Sequence, residues 1–169
     1  VYKRQVHNLL KNDRQVISNI SKAFGEGYLN ARREVDRRKL SGAVFHDKKK
    51  LAILEKLTHP VVKKKLVRLM GKSRKSVVVA DIPLLFEKKW EHMFDFTLTV
   101  CCSGKEQIRR ASARDKISSS EALHRIRLQM PLHKKVLRSD YIVNTDKNAD
   151  SVKAQTEIVY KEIKGRLKK

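Results

Sequence analysis

Asp81 closes a run of apolar residues, Val77-Val78-Val79-Ala80, and opens the string Asp81-Ile82-Pro83-Leu84-Leu85-Phe86-Glu87. The run reads as a short parallel strand, apolar on both faces. Ligands of open α/β sheets bind beyond the carboxyl ends of such strands. A carboxylate at that place can accept hydroxyls or position a metal-bound water. Leu84, Leu85 and Phe86 could line an apolar slot, with Glu87 placed beyond it. Taken alone, the string reads as simply as a turn capped by Asp81 whose apolar residues enter the core.

A second group is basic. Arg109, Arg110 and Arg114 share one short predicted helix, and Arg110 and Arg114 stand one turn apart on one face, with Asp115 next. Arg125 and Gln129 share a face of the following helix, and Lys134 and Lys135 come after Pro131. Arginine forks bind phosphate oxygens in pairs, and lysine adds point charge. A basic helical flap after a strand suits phosphoryl transfer, where charge builds on the γ-phosphate oxygens, and it can close to exclude water. A solvated pair of basic helices is the plain alternative. Gly71-Lys72-Ser73 imitates the end of the phosphate loop G-x-x-x-x-G-K-[ST], but Leu66 stands where its first glycine belongs. A helix precedes the triplet and a strand follows it, the reverse of a phosphate loop's setting. Gly71 therefore reads as a helix stop, and no other of the six glycines opens such a loop.

The elements that must position these residues follow from periodicity. Leu9, Leu10, Val16, Ile17, Ile20 and Phe24 recur at helical spacing, predicting a helix over 6–24 that Gly25 and Gly27 end. Asp47 can cap a helix carrying Leu51, Leu54 and Leu57. His59-Pro60 is predicted to break it, with Pro60 in the first turn of the next helix, which carries Val61, Val62, Leu66, Leu69 and Met70. Beyond 72 the period changes. Strands are predicted at Val77-Ala80, Phe96 to Val100 and Tyr141-Ile142-Val143. Capping boxes at Ser103–Glu106 and Ser118–Glu121 open helices between the last two. A final helix starts at Asp150 or Ser151. Strands alternating with helices predict an α/β fold with a parallel sheet.

Composition narrows the partner. Forty Lys and Arg against 18 Asp and Glu give a net charge of +22, which calls for a polyanion: nucleic acid, a nucleotide or a phosphate-rich cofactor. The lysine runs at 48–50 and 63–65 read as solvated helix faces. No apolar run approaches the ~20 residues of a membrane span, and no signal peptide is visible, so a cytoplasmic setting is expected. Adjacent Cys101 and Cys102 offer neither a useful disulfide nor zinc spacing and read as reduced, small strand-end residues.

In combination, these motifs resemble the dephospho-coenzyme A kinase family. Val-Val-Val-Ala-Asp-Ile-Pro-Leu-Leu-Phe-Glu at 77–87 is similar to the family signature. Phe24-Gly25, Asp36-Arg37 with Leu40, and Phe45, Asp47 and His59-Pro60 precede it in the family's order. Arg110 with Arg114-Asp115, then Arg125, Ile126, Gln129, Pro131 and Lys135, then 139–144 follow it. The likeness runs over about residues 6–160. It implies a P-loop kinase fold: a three-layer α/β/α domain with a five-stranded parallel sheet, a helical acceptor-binding domain and a lid. It also implies transfer of the ATP γ-phosphate, with Mg²⁺, to the ribose 3′-hydroxyl of dephospho-CoA, completing coenzyme A synthesis. Arg37, His59, Asp81, Pro83, Leu84, Leu85 and Glu87 would lie on the dephospho-CoA side, although His59 reads equally as a buried turn residue. Arg110, Arg114 and Lys135 would face phosphates, and Asn144 and Thr145 would lie near adenine. The domain plan implied is a helical dephospho-CoA-binding region at 6–74, a core at 75–102 and 136–169, and a lid at 103–135.

The family's first strand with its phosphate loop, and its second strand with the catalytic Asp, have no counterpart among these residues and would precede residue 6. The first of these is the middle of the family's sheet, so the chain as written is expected neither to catalyse nor to fold stably. Val1-Tyr2-Lys3-Arg4-Gln5 reads as the translation of GTG TAT AAG AGA CAG, a transposase adapter end, and residues 1–5 are set aside as a processing scar; a native sequence is the alternative. Two other readings remain: a kinase-like binding module without catalysis, and a nucleic-acid-binding protein, for which zinc-finger spacing and an aromatic RNA-binding motif are lacking. The coding DNA upstream of the Val6 codon is expected to encode a strand, a G-x-x-x-x-G-K-[ST] loop and a strand ending in Asp. A stop codon there would favour the binding module.

Overall fold

The computed structural model of the chain describes residues 10–167, so the scar reading at 1–5 and the predicted helical start at 6–9 lie outside the described residues. The chain forms two compact units, Val1–Pro83 and Leu84–Lys169.

The first unit is helical. Asp13 accepts a hydrogen bond from the Val16 amide at 3.0 Å and opens α1 (Arg14–Phe24). This corrects the single helix expected over 6–24: Leu10 to Asn12 are helical, but the Asp13 carboxylate takes an amide that a continuous helix would have used. Gly25 ends α1 at φ 98°, a value that costs strain in any other residue. A 3₁₀ turn (Glu26–Tyr28) and an isolated antiparallel bridge, Leu29 to Val35, lead to α2 (Arg37–Val44), which Asp36 caps. Asp47 then caps α3 (Lys48–Gly71) through the amides of Lys49 and Lys50, as expected, and α3 ends at Gly71.

The break expected at His59-Pro60 does not occur, because α3 runs through Pro60. Proline removes one ladder bond and crowds the preceding turn. Here Thr58, Val62 and Leu66, four residues apart on either side of Pro60, are all buried against the unit's core. Tertiary packing on both halves outweighs the local penalty. That core is Val16 and Ile20 of α1, Leu40 and Val44 of α2, and Val62 and Leu66 of α3.

The strand expected at Val77–Ala80 is also absent: the segment is irregular, and Val79 is 79% exposed. A strand needs a hydrogen-bonding neighbour, and the described residues supply none for this segment. Propensity alone does not hold it.

The second unit is α/β with a parallel sheet. It starts in overlapping turns and a 3₁₀ turn (Glu91–Met93) and continues through β1 (Leu98–Cys101), α4 (Gly104–Asp115), α5 (Ser119–Arg127), α6 (Leu132–Leu137), β2 (Tyr141–Asn144) and α7 (Ala149–Arg166). Both capping boxes form, with Ser103 Oγ accepting from the Glu106 amide and Ser118 Oγ from the Glu121 amide. β1 pairs with β2 in parallel, Leu98 opposite Tyr141 and Cys101 opposite Asn144, and the three helices between them make the crossover that parallel strands require. Of the five strands implied by the family likeness, the described residues form these two. Burial alternates along each strand instead of covering both faces: Thr99, Tyr141 and Val143 are buried, while Leu98, Val100 and Ile142 are exposed. α7 packs on β2, and its Arg166 guanidinium lies 5.7 Å from the Phe96 ring centre and 5.9 Å from that of Tyr141.

Ile20→Ala is expected to cost about 2–5 kcal/mol, because Ile20 is fully buried and its cavity cannot collapse freely. Val79→Ser should change stability by less than about 0.5 kcal/mol. Urea unfolding followed by far-ultraviolet circular dichroism measures both.

Candidate functional site

The string at 81–87 divides between the two units. In the first, Asp81 is exposed and Pro83 half-buried; Arg37 is exposed on the first turn of α2, and His59 is half-buried within α3. In the second, Leu84 and Leu85 are half-buried, and their carbonyls accept from the amides of Lys88 and Trp90 at 3.1 and 3.0 Å. Phe86 is buried in the core, with the Arg138 guanidinium 5.2 Å from its ring centre, so it does not line an open slot. These turns carry Glu87 to α6. Its Oε1 lies 2.8 Å from Lys135 Nζ and accepts from the Met130 amide at 2.8 Å. One turn later, Glu91 pairs with Arg138 in the same way, from the 3₁₀ turn to the end of α6.

The basic helix α4 is tied down at its carboxylate. Glu106 Oε1 receives Arg109 and Arg110, each at 2.6 Å, and Oε2 receives Arg109 Nε at 2.7 Å. The hydrogen bonds from Arg109 and then Arg110 lower its pKa to about 2. Arg110 also donates through Nη1 to the Thr145 hydroxyl and through Nη2 to the Thr145 carbonyl, both at 2.8 Å. Three of its roughly five N–H groups are so used. Arg114, one turn on, makes a two-pronged pair with the adjacent Asp115 at 2.7 and 2.8 Å. Arg125 of α5 pairs with Glu121 at 2.9 Å.

The loop after β2 is fixed from several sides. The Thr145 amide donates to Cys101 O at 2.8 Å, and Asp146 accepts the Ser103 amide on both carboxylate oxygens at 2.8 and 2.9 Å. Gln155 of α7 brackets exposed Asn144, accepting from its amide at 2.9 Å and donating to its carbonyl at 3.0 Å. At the other end of the strand pair, Asp140 Oδ2 accepts from both the Thr97 amide and hydroxyl at 2.7 Å. The hydroxyl first, then the amide, hold the Asp140 carboxyl below the ordinary carboxylate range. Cys102 is shifted the other way, its thiol pushed up by burial.

The structure thus brings together two pairs of sequence-predicted residues, Glu87 with Lys135 and Arg110 with Thr145. Sequence reasoning missed Glu91 with Arg138, Asp140, Asp146 and Gln155 as organising residues. The Glu106 clasp had a readable signal, an acid three and four residues ahead of two arginines. Asp146 had none, since its partner lies 43 residues away. Among the described residues no group of three His, Cys, Asp or Glu side chains could hold a metal ion, and no helix is long and apolar enough to cross a membrane.

Comparisons with known proteins converge. A sequence model of the family described as dephospho-CoA kinase matches residues 4–151. A dephospho-CoA kinase of Leptospira interrogans is 33% identical over 156 residues, 92% of this chain and 75% of that protein. One from Bacillus cereus is 37% identical over 145 residues, 84% of this chain and 72% of that protein. Among solved structures, a dephospho-CoA kinase from Campylobacter jejuni superposes with a TM-score of 0.66 at 25% identity, covering 98% of this chain and 84% of that one. TT1252 from Thermus thermophilus gives 0.68 at 29% identity, covering 95% and 91%.

A carboxyl whose pKa is depressed in the folded state adds stability above its unfolded pKa, about 4.3 for Glu, and loses it as pH falls through the folded value. Carbon-13 NMR of the side-chain carboxyls should therefore place the Glu106 midpoint near the pKa of about 2. A midpoint near ~4.3 would mean that the two arginines do not hold it in solution.

Proposed function

The chain belongs to the dephospho-CoA kinase family, and on that footing we propose how its residues serve the ATP-dependent phosphorylation of dephospho-CoA, the final step of coenzyme A biosynthesis. The family match over residues 4–151 carries the reading. The acceptor is the ribose 3′-hydroxyl. Its oxygen forms a bond to the γ-phosphorus, the bond to the ADP oxygen breaks, and the hydroxyl proton passes to a base.

Arg37, His59, Asp81, Pro83, Leu84 and Leu85 bind the acceptor. Arg110, Arg114 and Lys135 neutralise phosphate charge, and Asn144 and Thr145 meet the adenine. Two features support these roles. The Arg110 guanidinium is already held at Thr145, joining the basic helix to the loop that would meet the adenine. The Asn144 backbone is fixed on both sides by Gln155, and its exposed side chain, whose Oδ1 accepts from the Asp146 amide at 2.7 Å, stands at the end of β2. We assign 6–74 to acceptor binding, 103–135 to the lid, and 75–102 with 136–169 to the core, in a cytoplasmic enzyme.

Mg²⁺ accompanies ATP in such transfers. It is held by one or two carboxylates, water and phosphates more than by a protein cage, and the described residues form no such cage. No stretch of the 169 residues reads G-x-x-x-x-G-K-[ST]. The chain by itself is therefore expected to give no detectable phosphorylation in a coupled ADP-release assay. Turnover by the purified chain would refute that.

The +22 charge favours one second reading, a binding module for polyanions including nucleic acid. Titrating random duplex DNA against dephospho-CoA separates the two. Steeply salt-dependent DNA binding with no saturable dephospho-CoA binding would favour the module.

A further inference from the structure

Glu87 carries an acidic side chain in a chain with a large excess of cations, and it does not present that charge to solvent. Its Oε1 is shared between Lys135 Nζ and the Met130 amide, each at 2.8 Å. Its Oε2 is buried and has no hydrogen-bond partner among the described residues. The two side chains are only 16% and 14% exposed. A carboxylate so placed offers little to a sugar hydroxyl. It does fix two things at once: the turn between α5 and α6, through Met130, and the cation on the first turns of α6, through Lys135. The second pair, Glu91 to Arg138, holds the far end of the same short helix, and Arg138 also lies over the buried Phe86 ring.

We propose that Glu87 is a positioning residue: it holds the Lys135 ammonium in place as a phosphate-directed cation instead of meeting the acceptor. This rests on the reading of Lys135 as a phosphate-binding residue. The physical need is specific to lysine. Its charge sits on a flexible four-carbon stem with no planar fork to orient it. A stem left mobile must be ordered when phosphate arrives, and ordering it beforehand removes that cost from binding. A half-buried ammonium also needs a counter-charge, since removing one partner of such a pair strands the other. The turn at 83–90 supplies that counter-charge from a backbone fixed by the bonds from Lys88, Lys89 and Trp90 to Leu84, Phe86 and Leu85.

The test uses the whole chain and two readouts. The first needs no ligand: the rate of Lys135 acetylation by acetic anhydride, mapped by peptide mass spectrometry. Glu87→Gln keeps an acceptor for Met130 and removes the charge, and it is expected to speed acetylation at least about fivefold. Glu87→Asp, one methylene short, should restore part of the protection. An unchanged rate in Glu87→Gln overturns the proposal. The second readout is the Kd for ATP and for dephospho-CoA by calorimetry, and an unaltered chain that binds no ATP overturns the phosphate-directed role of Lys135 in this chain. Glu87→Gln and Lys135→Met should each weaken ATP about tenfold, leave dephospho-CoA within about twofold, and show no further loss when combined. Weakened dephospho-CoA with unchanged ATP in Glu87→Gln would return Glu87 to the acceptor side and overturn the proposal. So would fully additive losses. If acetylation rises but Lys135→Met leaves ATP binding unchanged, the phosphate-binding role of Lys135 fails while the Glu87 contact itself is upheld.

Discussion

Two strands separated by a crossover of three helices must meet in one register, and the second unit depends on that alignment. A parallel pair has no hairpin turn to set it. Here it is set at both ends by carboxylates acting over 43 residues. Asp140 takes the amide and hydroxyl of Thr97 ahead of β1, and Asp146 takes the Ser103 amide just beyond it. Between them, Leu98 stands opposite Tyr141 and Cys101 opposite Asn144. A slip of one residue would turn Tyr141 and Val143 outward and lose both carboxylate contacts. The same clamp sets where α4 starts, since Ser103 is also its cap, and therefore where Arg110 meets Thr145.

Cations predominate in this chain, yet the arginines and the lysine of interest are not loose charges. Each is held by a named acid: Arg110 by Glu106, Arg114 by Asp115, Lys135 by Glu87. The two arginine pairs are exposed on the cation side, and pairs of that kind contribute little to stability. What they contribute is direction, by restricting which way a long side chain points. The scarcity of acids makes this visible, because 18 carboxylates serve 40 cations and several of them sit where a helix begins or a strand ends.

Local signals were legible in the sequence. Asp47, Ser103 and Ser118 cap helices where their spacing says they should, and the two strands after residue 95 lie within a residue or two of the β-rich runs. Two of the errors involve competition between local preference and distant contacts. Pro60 predicts a break, but Thr58 and Val62 are buried on both sides of it and the helix continues. Val77–Ala80 have strong strand character and, among the described residues, no neighbouring strand to bond to. Asp13 reverses the pattern, a single local cap dividing a periodic apolar stretch. In the candidate site, residue types were readable but partners were not. Glu87 was visible as an acid after an apolar run, whereas its link to Lys135 joins positions 48 residues apart.

The bare segment around Val79 affects behaviour in concentrated solution. A run of three valines with no strand partner among the described residues is a template for edge-to-edge pairing between copies. Lys72, Arg74 and Lys75 stand just ahead of it, where charged residues act as gatekeepers. With a net charge of +22 on every copy, mutual repulsion keeps such segments apart. That protection is only as long as the Debye length, about 10 Å at 0.1 M salt and about 3 Å at 1 M. Added salt, which usually helps a basic protein shed bound polyanions, would here bring the valine segments within reach of each other, so colloidal stability and freedom from bound nucleic acid demand opposite ionic strengths.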